Sequence, residues 1–208
     1  MYLFSRRARL GSLEAIEWAV TIAGKAREAS GNSVELWATT LSPGFGTVSW
    51  TSWWADLASL EAGLAKIQVD AGYNELAAQG GGFIDGVVDD SLFQTLAGDV
   101  DPEAANQYVN GVQAACAGGN LARAMTSGIE IAQRAEAITG LPTLFVRSMT
   151  GPYGGVGWLT GYPDLAGFES AMDKMAADPG WLTLLDSTNG CFVEDANLTQ
   201  STLYTKLA

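Results

Sequence analysis

Few side chains in this chain are suited to acid–base or metal chemistry, and histidine is absent from it. Histidine is the commonest metal ligand, haem ligand and general base near neutral pH. Cys116 and Cys191 do not have the spacing of a metal site. We expect each cysteine to be a small buried apolar residue, with a reactive thiol or a disulfide as the alternatives. The residue types therefore predict no metal and no cofactor, and we assign no catalytic residue.

Arg147 is the most unusual charged residue, because it lies within the apolar, strand-like stretch 144–149. An unpaired charge inside a protein is strongly unfavourable, so a buried arginine needs a carboxylate or an anionic ligand. We expect a structural pair with an aspartate or glutamate. A clamp on the carboxylate or phenolate of a ligand, and simple exposure, are the alternatives.

Aromatic residues cluster beside a glycine-containing turn in each half of the chain. They are Phe45, Trp50, Trp53 and Trp54 in the first half and Tyr153, Trp158 and Tyr162 in the second. Such rings can fill the core of two sheets, and a ring-lined pocket for an apolar or aromatic ligand is the functional alternative. Trp53 is the best pocket candidate among the tryptophans, because Gly161 stands at its place in the second half. The candidate ligand-binding residues are Arg147, Trp53, Trp50, Trp158 and Tyr153.

The overall charge is acidic, with 11 Lys and Arg against 23 Asp and Glu and a net charge of −12. Binding to a nucleic-acid backbone needs clustered basic residues, so we expect no nucleic-acid partner. Three arginines (Arg6, Arg7 and Arg9) lie at the end of the first predicted strand. We interpret them as a solvated strand end, and anion capture is the alternative. The acidic residues at 85, 89, 90, 99 and 101 do not have the spacing of a calcium loop, and we interpret them as a solubilising face.

The composition is that of a folded domain, because 48% of the residues are hydrophobic and 16% are charged. No stretch of about 18 apolar residues is present, so we expect no membrane span. Ser5-Arg6-Arg7 resembles the start of a twin-arginine export signal, but Glu14 and Glu17 interrupt the stretch that follows. We therefore expect a cytoplasmic protein.

An internal repeat organises the chain. Residues 45–73 align with residues 153–181 at a shift of 108, with ten identities in 29 positions. The identities include Trp50 with Trp158 and Asp56 with Asp164. A shift of 109 aligns the preceding segments, for example Gly31 with Gly140. The sequence therefore predicts a tandem duplication of a unit of about one hundred residues.

Each copy predicts the order β-α-β-β-α-β of a ferredoxin-like unit. The predicted elements, first copy and then second, are a strand (2–7; 108–116), a helix ending at Gly31 or Gly140, a strand (33–40; 143–149), a turn and a strand with the shared tryptophan, a helix beginning near Asp56 or Asp164, and a final strand (83–88; 191–194). Ser12 and Asn120 are predicted N-caps of the first helices, and Pro163 fits the first position of a helix.

The stretch 97–107 is acidic, rich in small residues and without periodicity, and it is the predicted linker. The predicted domains are repeat 1 (1–96) and repeat 2 (108–208). A ferredoxin-like unit leaves one sheet face uncovered, so two copies can close an α+β barrel as a pseudo-dimer.

The repeated turn-strand-helix pattern resembles the dimeric α+β barrel superfamily, and within it the NIPSNAP-like domains. The pattern runs from Pro43 through Trp50 to Tyr73 and again from Pro152 through Trp158 to Trp181. The resemblance implies the fold over nearly the whole chain. The superfamily also contains haem-degrading and antibiotic-biosynthesis monooxygenases, and many members use a histidine that this chain does not have.

We expect a small-molecule-binding barrel of uncharacterised activity with an aromatic-lined apolar cavity. An alternative is a cofactor-independent monooxygenase acting on an aromatic or polyketide-like substrate, with Arg147 and Tyr153 stabilising an enolate or phenolate. A further alternative is a structural or assembly role of the outer helices. The expected partner is an apolar or aromatic small molecule, with self-association beyond the pseudo-dimer possible.

Overall fold

The computed structural model describes residues 1–101, 104–195 and 198–208. Within them the chain forms eight strands and six α-helices, with a short 3-10 helix at Gly80–Gly82. In chain order the elements are β1 (Tyr2–Arg9), α1 (Glu14–Ser30), β2 (Glu35–Thr40), β3 (Thr47–Trp54), α2 (Leu57–Val69), α3 (Ala71–Gln79), β4 (Asp89–Ala97), β5 (Tyr108–Ala115), α4 (Leu121–Thr139), β6 (Thr143–Ser148), β7 (Gly155–Tyr162), α5 (Leu165–Ala177), α6 (Pro179–Ser187) and β8 (Gln200–Lys206).

The strands hydrogen-bond in the order β1-β3-β2-β8-β5-β7-β6-β4, and this order closes a barrel. The chain divides into two compact units, residues 1–92 with 205–208 and residues 93–204. The border between the units falls within β4 and within β8, so one end of each strand belongs to the first unit and the other end to the second. Residues 102 and 103 of the predicted linker 97–107 lie outside the described residues, and the predicted domain borders remain predictions.

The first unit packs α1 against the sheet of β1, β3 and β2. In the antiparallel β1–β3 pair, Arg6 lies opposite Trp50 and Ala8 opposite Val48. Side chains at alternate positions share one face of a strand, so Phe4, Arg6 and Ala8 share the face that carries Trp50. That face forms a buried core with Trp18, Ile22 and other residues of α1.

The second unit repeats the arrangement with α4 against β5, β7 and β6. Val112 lies opposite Trp158 in the β5–β7 pair, as Arg6 lies opposite Trp50 in the first unit. Trp158 packs with Phe145 and Ile131 in a second buried core. The two units therefore place Trp50 and Trp158 in corresponding positions.

The helix ends follow simple backbone chemistry. Both long helices end at a glycine in the left-handed conformation, Gly31 at φ 73° and Gly140 at φ 77°, which confirms these two predicted C-termini. Asp56 and Asp164 are the N-caps of α2 and α5, where their carboxylates accept the N–H of Ser59 and of Gly167.

Two local predictions were wrong, and a third is confirmed only in position. Ser12 does not cap α1, whose N-cap is Leu13. Asn120 is the N-cap residue of α4, as predicted, but its side chain makes no capping bond, and its amide donates to the carbonyl of Gly190. Pro163 stands before the cap of α5, whereas Pro179 takes the first position of α6.

The fourth strand of each copy also lies later than predicted. Residues 83–88 and 191–194 make only isolated bridges, Ile84 with Leu10 and Phe192 with Cys116. The strands are β4 and β8 instead, because the helices α3 and α6 after Asp70 and Asp178 lengthen each copy before the final strand. Among the described residues, no helix has the length and apolar character needed to cross a membrane.

Candidate functional site

A pocket of about 210 Å³ lies inside the first unit, between its sheet and the helices α1, α2 and α3. Phe4, Trp50 and Trp54 line it from the sheet, and Trp18 and Ile22 from α1. Ligand pockets are commonly about 300 Å³ or larger, so this one suits a small ligand with one or two rings. Its walls are mainly apolar, as the sequence led us to expect of a ligand cavity.

The tryptophans of the pocket are held by hydrogen bonds from their indole N–H groups. Trp18 Nε1 donates to the carbonyl of Leu76 at 2.8 Å, and Trp50 Nε1 donates to the carbonyl of Ala19 at 2.9 Å. The rings of Trp18 and Trp50 meet edge to face, with centroids 5.9 Å apart. Because both the ring and its polar atom are fixed, these walls are preorganised.

Trp54 closes another side of the pocket. Its indole donates to the hydroxyl of Ser52 at 2.8 Å, and its ring lies on Gly63 of α2, where no Cβ fits beneath the indole. A glycine in the middle of a helix is unfavourable by roughly 1 kcal/mol. Here it makes room for the ring that forms the wall.

Arg6 supplies the charge of the site. Its guanidinium makes two parallel hydrogen bonds to the carboxylate of Asp90, Nε to Oδ1 and Nη2 to Oδ2, both at 2.8 Å. Its Nη1 donates to the hydroxyl oxygen of Tyr73 at 3.3 Å, which leaves the phenolic hydrogen of Tyr73 able to donate. Among the described residues that line the pocket, Arg6 alone carries a full charge.

The Arg6 guanidinium stays protonated and positively charged. The hydrogen bond with Asp90 raises the pKa of the Arg6 guanidinium above its already high ordinary value, against the opposing effect of burial. The guanidinium is also 5.8 Å from the centre of the Phe4 ring, within the range of a cation–π contact. One end of an apolar pocket therefore presents a permanent positive charge beside a phenol.

Of the residues predicted to bind a ligand, Trp50 lines this pocket. Trp158 is buried in the second unit, where its indole donates to the carbonyl of Gly128 at 2.8 Å. Trp53 is half-buried outside the pocket, and Tyr153 is 90% exposed at a turn, as is Phe45 at 83%. A binding role for Trp53, Trp158 and Tyr153 remains a prediction.

The expectation that Arg147 is buried was wrong. Its side chain is exposed, and Nε donates to Gln94 Oε1 at 2.9 Å across the β4–β6 pair. Its apolar neighbours in sequence predicted burial, but Arg147 is the last residue but one of β6 (Thr143–Ser148) and its side chain is exposed. Arg147 does not line the pocket described here, and its role in binding also remains a prediction.

Sequence reasoning missed two of the residues that form the site, Trp18 and Tyr73, and it named Arg6 only as one of three strand-end arginines, with anion capture as the alternative. The signals were present: Trp18, Ile22 and Ala26 recur at four-residue spacing on α1, which is one helix face. Arg6 alternates with Phe4 and Ala8 on β1, which places it on the core face. The interpretation of Arg6 as a solvated strand end did not use this alternation.

The cysteines lie in the second unit, both buried and free, as expected of small apolar residues. Burial raises the pKa of the Cys116 thiol, with a smaller contribution from Cys191. A raised pKa keeps this thiol protonated at neutral pH and unreactive. No group of metal-ligating side chains occurs among the described residues.

The site does not fit haem. The chain has no histidine, and Tyr73 is the one familiar haem ligand among the described residues that line the pocket. A cavity of about 210 Å³ is also small for such a group.

No family model matches the chain, and no curated protein matches it by sequence. Solved structures do match it along its whole length. A Fusobacterium nucleatum protein named as a "putative monooxygenase" has a TM-score of 0.73 at 7% identity, over 100% of this chain and 92% of that one. An anthrone oxidase-like protein has a TM-score of 0.69 at 7% identity, over 100% and 91%.

A haem-degrading enzyme from Listeria monocytogenes is also similar, with a TM-score of 0.54 at 6% identity over 99% of each chain. The fold is that of the dimeric α+β barrel proteins. At these identities the similarity shows the fold alone.

Proposed function

We propose that the first unit binds a small aromatic molecule in the pocket beneath α1. The observation that carries the proposal is the combination of a wall of fixed indole rings with a charged donor and a phenol at one end. Apolar walls with a few convergent polar groups are typical of ligand sites. The rings supply contact area, and Arg6 and Tyr73 orient a polar substituent.

A second candidate function is oxidation of that molecule by O₂ without a cofactor. The names of two fold relatives, a "putative monooxygenase" and an anthrone oxidase-like protein, favour it. An activated CH₂ or hydroxyl group that loses one proton to solvent becomes an enolate or phenolate, whose charge Arg6 would stabilise, and a proton returns from solvent when water is formed. Reaction of a CH₂ group with O₂ then gives a carbonyl and one molecule of water.

We further propose that the two units arose by tandem duplication of a ferredoxin-like unit, as the sequence repeat predicts. The corresponding hydrogen bonds of Trp50 to Ala19 and of Trp158 to Gly128 support it. The likeness to NIPSNAP-like domains remains a prediction.

Binding can be tested with 2-naphthol, a neutral two-ring phenol, by calorimetry and by quenching of tryptophan fluorescence. Leu64 lines the pocket from α2, and we expect Leu64→Trp to fill the space and weaken binding at least tenfold. The matched control is Met172→Trp at the corresponding position of α5, which we expect to bind as the wild type does. Equal binding by both variants would place the ligand elsewhere.

Oxidation is tested separately with an oxygen electrode and 2-tetralone, a two-ring ketone with an activated CH₂ group. We expect O₂ uptake and formation of the corresponding diketone, both reduced in Leu64→Trp. Binding of 2-naphthol without O₂ uptake on 2-tetralone or on a panel of two-ring hydroxylated aromatics would leave binding as the function and exclude this oxidation.

A further inference from the structure

We infer that the pocket of the first unit selects aromatic acids, and that Asp90 holds the place of the ligand's carboxylate until the ligand displaces it. The inference rests on the proposed binding function and specifies its ligand class. It depends on three features of the site: the position of Arg6, the geometry of its pair with Asp90, and the residue that replaces Arg6 in the second unit.

Arg6 is not required at its position by the fold. Its place opposite the core tryptophan is taken by Val112 in the second unit, where an apolar residue packs against the same kind of core. Burying an arginine on the core-facing side of a strand costs the hydration free energy of its charge, and burying a valine has no such cost. The first unit therefore carries a charge that its architecture can do without.

The pair with Asp90 does not explain the charge through stability. The Arg6 and Asp90 side chains remain 39% and 46% exposed, and pairs exposed to water contribute little to folding. Two parallel N–H···O bonds are, however, the geometry in which a guanidinium recognises any carboxylate. The carboxylate of a ligand would accept the same two hydrogen bonds from Arg6 that the carboxylate of Asp90 accepts.

The location of Asp90 makes displacement possible. It is the second residue of β4 and is exposed, so its side chain can turn into water without leaving a buried charge. Val88, two residues earlier, lines the same pocket. A ligand whose ring lies between the indoles can place a carboxylate on Arg6, with Tyr73 donating its hydroxyl hydrogen to the same group.

The test compares 2-naphthoate, an anion at pH 7, with 2-naphthol, its neutral analogue, by calorimetry. Wild type should bind 2-naphthoate more tightly, and Arg6→Gln should weaken 2-naphthoate about tenfold or more. It should weaken 2-naphthol by a clearly smaller factor, because the hydroxyl loses a hydrogen bond without the charge of a carboxylate. The matched control is Arg9→Gln, an arginine of the same strand paired with Asp85 outside the pocket, which should keep wild-type preference.

The reciprocal variant is Asp90→Asn, which removes the competing carboxylate. It should tighten 2-naphthoate by about two- to fivefold, the range that corresponds to removing the competition of an exposed ion pair, and change 2-naphthol less. This variant also decides the matter if Arg6→Gln does not fold, as judged by circular dichroism. Unchanged or weaker binding of 2-naphthoate to folded Asp90→Asn would overturn the inference.

The two proposals fail differently. If 2-naphthol binds but 2-naphthoate binds no better, or if folded Arg6→Gln keeps the preference for the anion, the selection of acids is wrong and the binding pocket stands. If neither probe binds wild type, the proposed function fails and takes this inference with it.

Discussion

The two units of this chain solve the same packing problem with rings placed at different points. In the first unit, Trp54 lies over Gly63, and the corresponding pair in the second unit is Tyr162 and Ala171. At a second pair of positions it is the second unit that has the glycine: Phe145 lies over Gly128, and the first unit has Leu36 and Ala19 there. In both comparisons the larger side chain packs on a glycine and the smaller one on an alanine. This compensates volume within a close-packed core.

The helix position before that alanine or glycine differs as well. The first unit has Trp18 there, and the second has Ser127, which lies 4.0 Å from the sulfur of Cys191. In the second unit the ring of Phe145 comes instead from the strand and packs on Trp158 at 5.3 Å. In the first unit the ring belongs to the helix residue Trp18, and the pocket lies beside that ring. A change of packing can therefore open a site without changing the fold.

Among these substitutions, we expect the largest effect from Gly128→Ala. The added methyl group would meet the fully buried ring of Phe145. Overpacking costs about 1–3 kcal/mol, against a gain of roughly 1 kcal/mol in helix propensity, so we expect a net loss of up to about 2 kcal/mol in the free energy of unfolding. Denaturation by urea measures it.

A double variant and a control complete that measurement. Gly128→Ala with Phe145→Leu reproduces the pair of the first unit and should recover part of the loss, a non-additivity that a double-mutant cycle detects. Gly24→Ala in α1 adds a methyl group that meets no neighbour, and should be neutral or stabilising. Strictly additive effects would show that Gly128 and Phe145 do not compensate each other.

The reciprocal substitution, Gly63→Ala, should have a smaller effect. The methyl group would meet the indole of Trp54, but this ring borders the pocket and can shift into open space. We expect a loss below about 1 kcal/mol in stability, together with weaker binding of 2-naphthol because the shifted ring occupies the pocket. A larger loss than that of Gly128→Ala would contradict the idea that the first unit alone has room to adjust.

The smallest expected effect concerns an ion pair that differs between the units. Arg134 binds both carboxylate oxygens of Asp178 at 2.7 Å, whereas Lys25, at the corresponding place, binds Glu28. The hydrogen bond from Arg134, followed by that from the N–H of Trp181, lowers the pKa of Asp178. A carboxyl with a lowered pKa stabilises the fold above its unfolded pKa, and this contribution disappears as the pH falls through the folded value.

We therefore expect wild type to lose stability on acidification below about pH 4, and Asp178→Asn and Arg134→Gln to lose less. Lys25→Gln should retain the wild-type dependence. Thermal unfolding followed between pH 2 and 6 gives the comparison. An unchanged acid profile in Arg134→Gln would remove this pair from the account.

Much of the fold could be predicted from the sequence, because it follows from local patterns. The glycines at 31 and 140 end the long helices and the two shared tryptophans mark the third strand of each copy. The positions of the fourth strands could not be predicted, since Asp70 and Asp178 begin second helices that interrupt the expected order. Local patterns do not show where a chain returns to its sheet.

The site was less predictable for a different reason. Trp50 corresponds to Trp158 and was found by the sequence repeat, but the second unit has Val112 and Ser127 where the first has Arg6 and Trp18. Comparison of the copies therefore emphasised what the fold shares and passed over what distinguishes the first unit. Arg147 attracted attention through its apolar neighbours in sequence, although exposure at a strand end depends on tertiary structure.

The proposed ligand site lies in the first unit, and the indole groups of the tryptophans can locate the bound ligand. The chain has seven tryptophans, and their indole N–H signals in a ¹H–¹⁵N spectrum can be assigned by single Trp→Phe variants. On titration with 2-naphthol we expect shifts concentrated on Trp18, Trp50 and Trp54, with Trp158 and Trp181 unmoved. Shifts of Trp158 and Trp181 as large as those of Trp18 and Trp50 would contradict the account.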